Sequence, residues 1–268
     1  MKLFRRLLVG AAIVGVLAYV MVLGVMYVFQ RDFQYDRSGR LLALSETKLT
    51  SAQLVSIPSA DGSSVAGWYE APATGMPVIL FFRGNSQSFS REHERFETWV
   101  DAGYGFLAFD YRGFPGSPGE LTETNVLADA LAAYDWLAAK GFPILLWGRS
   151  LGSGPATFVA SVREAKALLL ETPFVSAVSV AAERYGFLPV GLLMHDQYRV
   201  DQWLPEVTEP VYVAHGTADR TISVRNGEKV YELAPVKAGL WIEPGADHTD
   251  LWKRGLWDHA RTFFESVK

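Results

Sequence analysis

Hydrophobic positions fall into two regimes along this chain. The first is a single long run, LLVGAAIVGVLAYVMVLGVMYVF at residues 7–29, with no charge across 23 positions. At about 1.5 Å per residue a helix over this run is roughly 34 Å long, more than the roughly 30 Å hydrocarbon core of a bilayer. A cleaved signal peptide is the competing reading. It would have a shorter apolar region ending in small residues, whereas this run ends Met26-Tyr27-Val28-Phe29. The pattern predicts an uncleaved single-pass membrane anchor over 1–29, followed by a polar connector over 30–52. Lys2, Arg5 and Arg6 on the near flank equal Arg31, Arg37 and Arg40 on the far flank in number. The near set lies closer to the membrane edge, which favours a cytoplasmic N-terminus and a non-cytoplasmic globular domain. Ala11 and Gly15 have the spacing of small residues that let membrane helices pack.

The second regime, from residue 53 to 268, alternates short apolar runs with helical periodicity. The runs are QLVSI (53–57), VAGWY (65–69), VILFF (78–82), GFLAF (105–109), ILLW (144–147), ALLLE (167–171), VYVAH (211–215) and GLWIE (239–243). The first two flank the turn dipeptide Asp61-Gly62 and read as a hairpin. The later ones are almost continuously apolar, as in strands buried on both faces of a parallel sheet. Leu127, Ala130, Leu131, Tyr134 and Leu137 recur at helical spacing within 124–140, which Gly141 and Pro143 close. A second helix is expected over 88–102, carrying Phe96, Trp99 and Val100. This alternation predicts a mostly parallel eight-stranded α/β sheet with helices on both faces. Residues 172–205 interrupt it. Their apolar stretch GFLPVGLLMH (186–195) reads either as a small lid or acyl-binding wall, or as a core helix.

Composition narrows the chemistry. With 268 residues, 49% of them hydrophobic, the chain can form one ordinary globular domain plus the apolar appendage. The net charge of −4, with both signs mixed, does not suggest a nucleic-acid partner. There is no cysteine, so disulfides, thiolate catalysis and cysteine-ligated zinc are excluded.

One short stretch carries a reaction type. Gly148-Arg149-Ser150-Leu151-Gly152 is a G-x-S-x-G pentapeptide directly after the run ILLW and before a helix in which Pro155 is tolerated in the first turn. A strand reversing into a helix brings two backbones together, and glycine on either side leaves room for it. Ser150 then stands at the apex, with a helix N-terminus behind it that favours developing negative charge. A serine hydroxyl needs a general base, and the base needs an orienting acid. Of five histidines, His248 follows the last strand run through the loop PGAD, and His215 ends its own run. His93 and His259 lie on charged helical segments, and His195 lies in the possible lid. Asp219 sits in the loop after His215, and the order Ser150…Asp219…His248 is that of α/β-hydrolases. Asp247 is the alternative acid. Two fixed amides are needed for an oxyanion: Leu151, after the serine, and Asn85, in the Arg83-Gly84-Asn85-Ser86 loop after VILFF.

With these residues in view, the sequence resembles the membrane-anchored α/β-hydrolase-domain serine hydrolases, over nearly its whole length. The resemblance is carried by the apolar anchor with FQRDFQYDR, then FFRGNSQS, AGYGFLAFDYRGFPGSPG, LLWGRSLGSG, ETPFVS, HGTADRTISV and PGADHTDLW. It implies an α/β-hydrolase fold, a triad at Ser150, Asp219 and His248, and oxyanion amides at Asn85 and Leu151. It also implies hydrolysis of small-molecule or lipid esters or thioesters without cofactor or metal, as in acyl-protein thioesterases and lysophospholipid lipases. A peptidase of the same fold and a non-catalytic membrane scaffold are the rival readings. One departure stands out: where the family usually has His-Gly-Asn, this chain has Arg83-Gly84-Asn85. Arg83 and Arg149 together are expected either to make the site mouth electropositive or to pair with carboxylates and face water.

Overall fold

Each of the eight apolar runs becomes a strand. A computed structural model describes residues 1–267; Lys268, the last residue of the expected globular domain, lies outside them. The strands are β1 (Gln53–Pro58), β2 (Ser64–Glu70), β3 (Val78–Phe82), β4 (Gly105–Phe109), β5 (Ile144–Arg149), β6 (Ala167–Glu171), β7 (Val211–Gly216) and β8 (Lys237–Glu243). They form one sheet in the order β1-β2-β4-β3-β5-β6-β7-β8. β2 is antiparallel to β1 and β4, and every other pairing is parallel.

The period of two along the central strands divides the interior into two layers. Val78, Leu80 and Phe82 of β3, with Leu146 of β5 and Val213 of β7, join one core. That core is covered by α3 (Glu123–Ala138), α4 (Ser153–Val162) and α8 (Val224–Leu233). Ile79 and Phe81 of β3, with Trp147 of β5, join the other. It is covered by α2 (His93–Asp101) and α9 (Leu256–Ser266). The helix expected over 88–102 is therefore shorter. Ser88 accepts from the Ser90 amide and opens a 3-10 turn over Phe89–Glu92, from which α2 continues. Residues 172–205 contain the short helices α5 (Ala177–Arg184), α6 (Val190–Leu193) and α7 (Val200–Trp203).

At the N-terminus, α1 (Lys2–Gln34) runs five residues past the apolar stretch. Among the described residues it is the one helix long and apolar enough to cross a bilayer. The segment after it lies against the domain. Tyr35 and Leu49 are buried, the Leu42 amide donates to Ser90 Oγ (2.9 Å), and the Lys48 amide donates to Glu97 Oε1 (3.0 Å).

The order of strands also locates the site. From β3 the sheet grows toward β4 on one side and toward β5 on the other. The loops leaving β3 and β5 thus part above a crevice at the carboxyl edge, where open α/β sheets bind ligands. Asn85 and Ser150 are on those two loops.

Candidate active site

Ser150 follows β5 with φ of +51°, in the left-handed region that an L-residue enters only at a cost. The two flanking glycines explain why the turn closes. A Cβ on Gly152 would stand 1.9 Å from the Phe82 carbonyl oxygen. A Cβ on Gly148 would stand 2.7 Å from both Ala156 Cβ and the Gly152 carbonyl oxygen. No side chain fits at either place, so the strand, the turn and α4 meet backbone to backbone and the serine is lifted to the apex. Beneath it, Arg149 bonds Glu92 (2.8 Å) and lies 3.3 Å from Glu171. Glu171, fully buried, also receives two hydrogen bonds from Arg95 (2.7 and 2.8 Å) and one from Trp147 Nε1 (3.0 Å). Burial pushes the Glu171 carboxyl up, but the charges of Arg95 and Arg149 and these bonds outweigh burial and hold it below its ordinary value.

Three loops converge above this base. Ser150 Oγ lies 2.9 Å from His248 Nε2, and His248 Nδ1 lies 2.7 Å from Asp219 Oδ2. The serine O–H can therefore donate to Nε2 while Nδ1–H donates to the carboxylate. Asp219 is fully buried at its side chain, and its Oδ1 accepts from the Thr221 and Ile222 amides, both at 2.8 Å. His215 Nε2 stands 3.1 Å from Asp219 Oδ2 and 2.9 Å from the Ile222 carbonyl. Burial raises the Asp219 carboxyl. The bonds from His215 and His248, the His248 charge and the Ile222 amide more than reverse this, leaving it well below the usual carboxylate range.

The other candidates lie elsewhere. Asp247 turns away from the imidazole and is held by the Arg220 amide (3.1 Å) and guanidinium (Nε, 2.7 Å). His93 pairs with Glu97 (2.9 Å), and His259 stacks on Trp241 with ring centroids 4.2 Å apart. His195 packs edge-on against Tyr27 of α1, with centroids 4.8 Å apart. Asn85 and Leu151 line the same pocket as Ser150.

The electropositive mouth expected from Arg83 and Arg149 is overturned. Both arginines pair with carboxylates, Arg83 with Asp110 and Arg149 with Glu92 and Glu171, as the second expectation has it, but they do so inside the fold and do not face water. Arg83 is 1% exposed, lies 3.2 Å from Asp110, donates to the Ser86 carbonyl (2.6 Å) and sits over the Phe114 ring. Asp110 in turn accepts from Ser88 Oγ (2.6 Å) and the Phe89 amide (3.0 Å). Burial pushes its carboxyl up to about 6, against Arg83 and these two bonds. Arg83 thus braces the loop bearing Asn85 from below.

Above Ser150 opens a cavity of about 280 Å³ with predominantly apolar walls. Part of it comes from the interrupting segment, through Val180, Leu188, Val190 and Leu193. Five lining residues have no counterpart in the sequence reading: Met26, Tyr27, Gln30, Phe33 and Gln34, all on α1. The available signal was two glutamines and a tyrosine sharing one helical face where the apolar run ends.

A serine raised on a strand–turn–helix elbow at the switch point of this sheet defines the α/β-hydrolase class. No protein-family model matches the chain. The uncharacterised protein Rv2307c of Mycobacterium tuberculosis is 30% identical over 262 residues, 94% of this chain and 93% of that protein. Rat lysophosphatidylserine lipase ABHD12 is 30% identical over 190 residues, 62% of this chain and 48% of that protein, so the chain spans about half the length of this relative. The solved esterase Pf2001 of Pyrococcus furiosus superposes with a TM-score of 0.70 at 19% identity, over 87% of this chain and 97% of that one, which is a likeness of fold. The chain belongs to the α/β-hydrolase-domain serine hydrolases.

Proposed function

We propose that this protein is a membrane-anchored hydrolase that cleaves carboxylic esters or thioesters of apolar acyl groups, with Ser150 as nucleophile. The observation that carries the reading is the unbroken hydrogen-bonded chain Ser150–His248–Asp219, whose serine lines an apolar pocket. His248 takes the proton from Ser150 Oγ as the oxygen attacks the acyl carbonyl. Asp219 holds the imidazole in the tautomer with Nε2 free and stabilises its charged form. The amides of Leu151 and Asn85 receive the oxyanion. His248 then gives its proton to the departing alcohol or thiol, and water, deprotonated by the same imidazole, attacks the acyl-enzyme and releases the acid.

The pocket favours an ester amphiphile over a free amine. Among the described residues its lining includes one charged side chain, Arg184, and no carboxylate to hold a peptide N-terminus. By likeness to the lysophosphatidylserine lipases, a single-chain lysophospholipid is the first lipid to assay. Anchoring is supported by the length and apolarity of α1 and by its lack of any buried residue. A fluorophosphonate probe on the full-length protein tests the mechanism: the wild type is labelled and Ser150→Ala is not. Equal labelling of the two overturns it.

A further inference from the structure

The first half of α1 and its last turns differ in what they touch. From Tyr19 onward one stripe at helical spacing meets the segment over Ser150. Tyr19 Oη donates to the Phe187 carbonyl (2.8 Å). Gln30 donates to the Leu193 carbonyl (3.2 Å) and accepts from the His195 amide (2.7 Å). Gln34 donates to the Asp196 carbonyl (3.1 Å), and Arg31 pairs with Asp196 (2.9 Å). The end of the same helix is tied to the loop after β3. Asn85 Nδ2 donates to the Gln34 carbonyl (2.6 Å), the Asp36 amide donates to Asn85 Oδ1 (3.3 Å), and the Gln87 amide donates to the Asp36 carbonyl (3.2 Å).

A tether needs none of these bonds. Between the two sets of ties, Met26, Tyr27, Gln30, Phe33 and Gln34 line the cavity above Ser150, and the buried Oε1 of Gln34 has no partner. The depth of the contacts also matters. Tyr19 lies ten residues before the end of the apolar run, about 15 Å along the helix axis, or half of a hydrocarbon core. Phe187, 64% exposed, is bonded at that level, and Leu192 nearby is 88% exposed. Side chains like these are costly in water and comfortable among acyl chains.

We propose that α1 is a wall of the substrate site, and that the pocket opens into the bilayer between α1 and the α5–α6 segment, so that an acyl chain resident in the membrane slides sideways along Met26 and Phe33 toward Ser150. This inference rests on the serine ester hydrolase proposed above and assigns that site its route of entry: sideways from the bilayer, along α1.

The test uses full-length protein in phosphatidylcholine nanodiscs, with p-nitrophenyl butyrate and laurate as probes. Met26→Trp places an indole in the wall, and Val28→Trp, on the lipid-facing side at 69% exposure, is the control. Fluorophosphonate labelling of Ser150 reports that each variant is folded and that the serine is reactive. The wall predicts that Met26→Trp lowers the laurate-to-butyrate ratio of kcat/KM about ten-fold or more, the scale at which a few methylenes are discriminated, and that Val28→Trp leaves the ratio unchanged. An unchanged ratio in a labelled Met26→Trp, or an equal fall in both variants, overturns the wall and leaves the serine mechanism standing. Should Met26→Trp not be labelled, Phe33→Trp replaces it under the same criterion. If the wild type itself is not labelled, the serine mechanism fails and the wall falls with it.

Discussion

The two sides of the pocket are built in different ways. The side that carries Ser150, Asp219 and His248 hangs from β5, β7 and β8, whose parallel ladder and close backbone contacts fix where each loop leaves the sheet. The opposite side is a helix outside the sheet. It is held by side-chain bonds to the segment near residues 187–196, across sequence separations of 162 to 168 residues. Chemistry that tolerates little displacement is placed on the rigid frame. On the proposed reading, the surface that admits a lipid is placed on an element held by side-chain bonds and not by a backbone ladder.

The hardest blow to the rigid side is Asp219→Asn. It keeps the shape but holds the imidazole in the wrong tautomer, and kcat should drop about 10⁴-fold in ester assays with the fold retained by circular dichroism. Next comes Asn85→Ala, which sharpens the comparison because it leaves the backbone amide while deleting the ties to Gln34 and Asp36. If α1 aligns the oxyanion loop, kcat falls by roughly 10²-fold; a change of less than two-fold would mean the two sides are independent.

A third probe concerns the brace under that loop. An Asp110 carboxyl near 6 in the folded protein, against 3.8 for an ordinary aspartate, means that between these values the native state holds a proton the unfolded chain has released. Its contribution to stability is therefore greatest below about 4 and declines as pH rises through 6. Urea unfolding of wild type minus Asp110→Asn should show a difference falling by on the order of 1–3 kcal/mol across that window. The smallest effect belongs to the α5 side of the pocket. Arg184→Ala should reduce the preference for anionic over zwitterionic lysophospholipids by a few-fold at low salt and by less at high salt.

Much of this was legible in the residues. The eight strand runs stand out because strands buried on both faces are apolar without interruption. The pentapeptide stands out because a sharp elbow admits only glycine on its flanks. The roles of Arg83 and Arg149 were not legible: an arginine in a loop has the same pattern whether it faces water or is drawn under the chain by Asp110 or Glu171. Nor was the docking of α1, since two glutamines at the end of an apolar run also suit a polar membrane border.

By itself the sequence determined the order of strands and helices, the apolar span and the residue types able to perform acyl transfer, because these depend on local periodicity and on steric limits within a few residues. Chain order already favoured Asp219 over Asp247, but only the tertiary structure brought it to His248, turned the arginines inward and set α1 against the pocket. Those outcomes depend on contacts between residues far apart in the chain, and such contacts exist only once the sheet has brought their loops to a common edge.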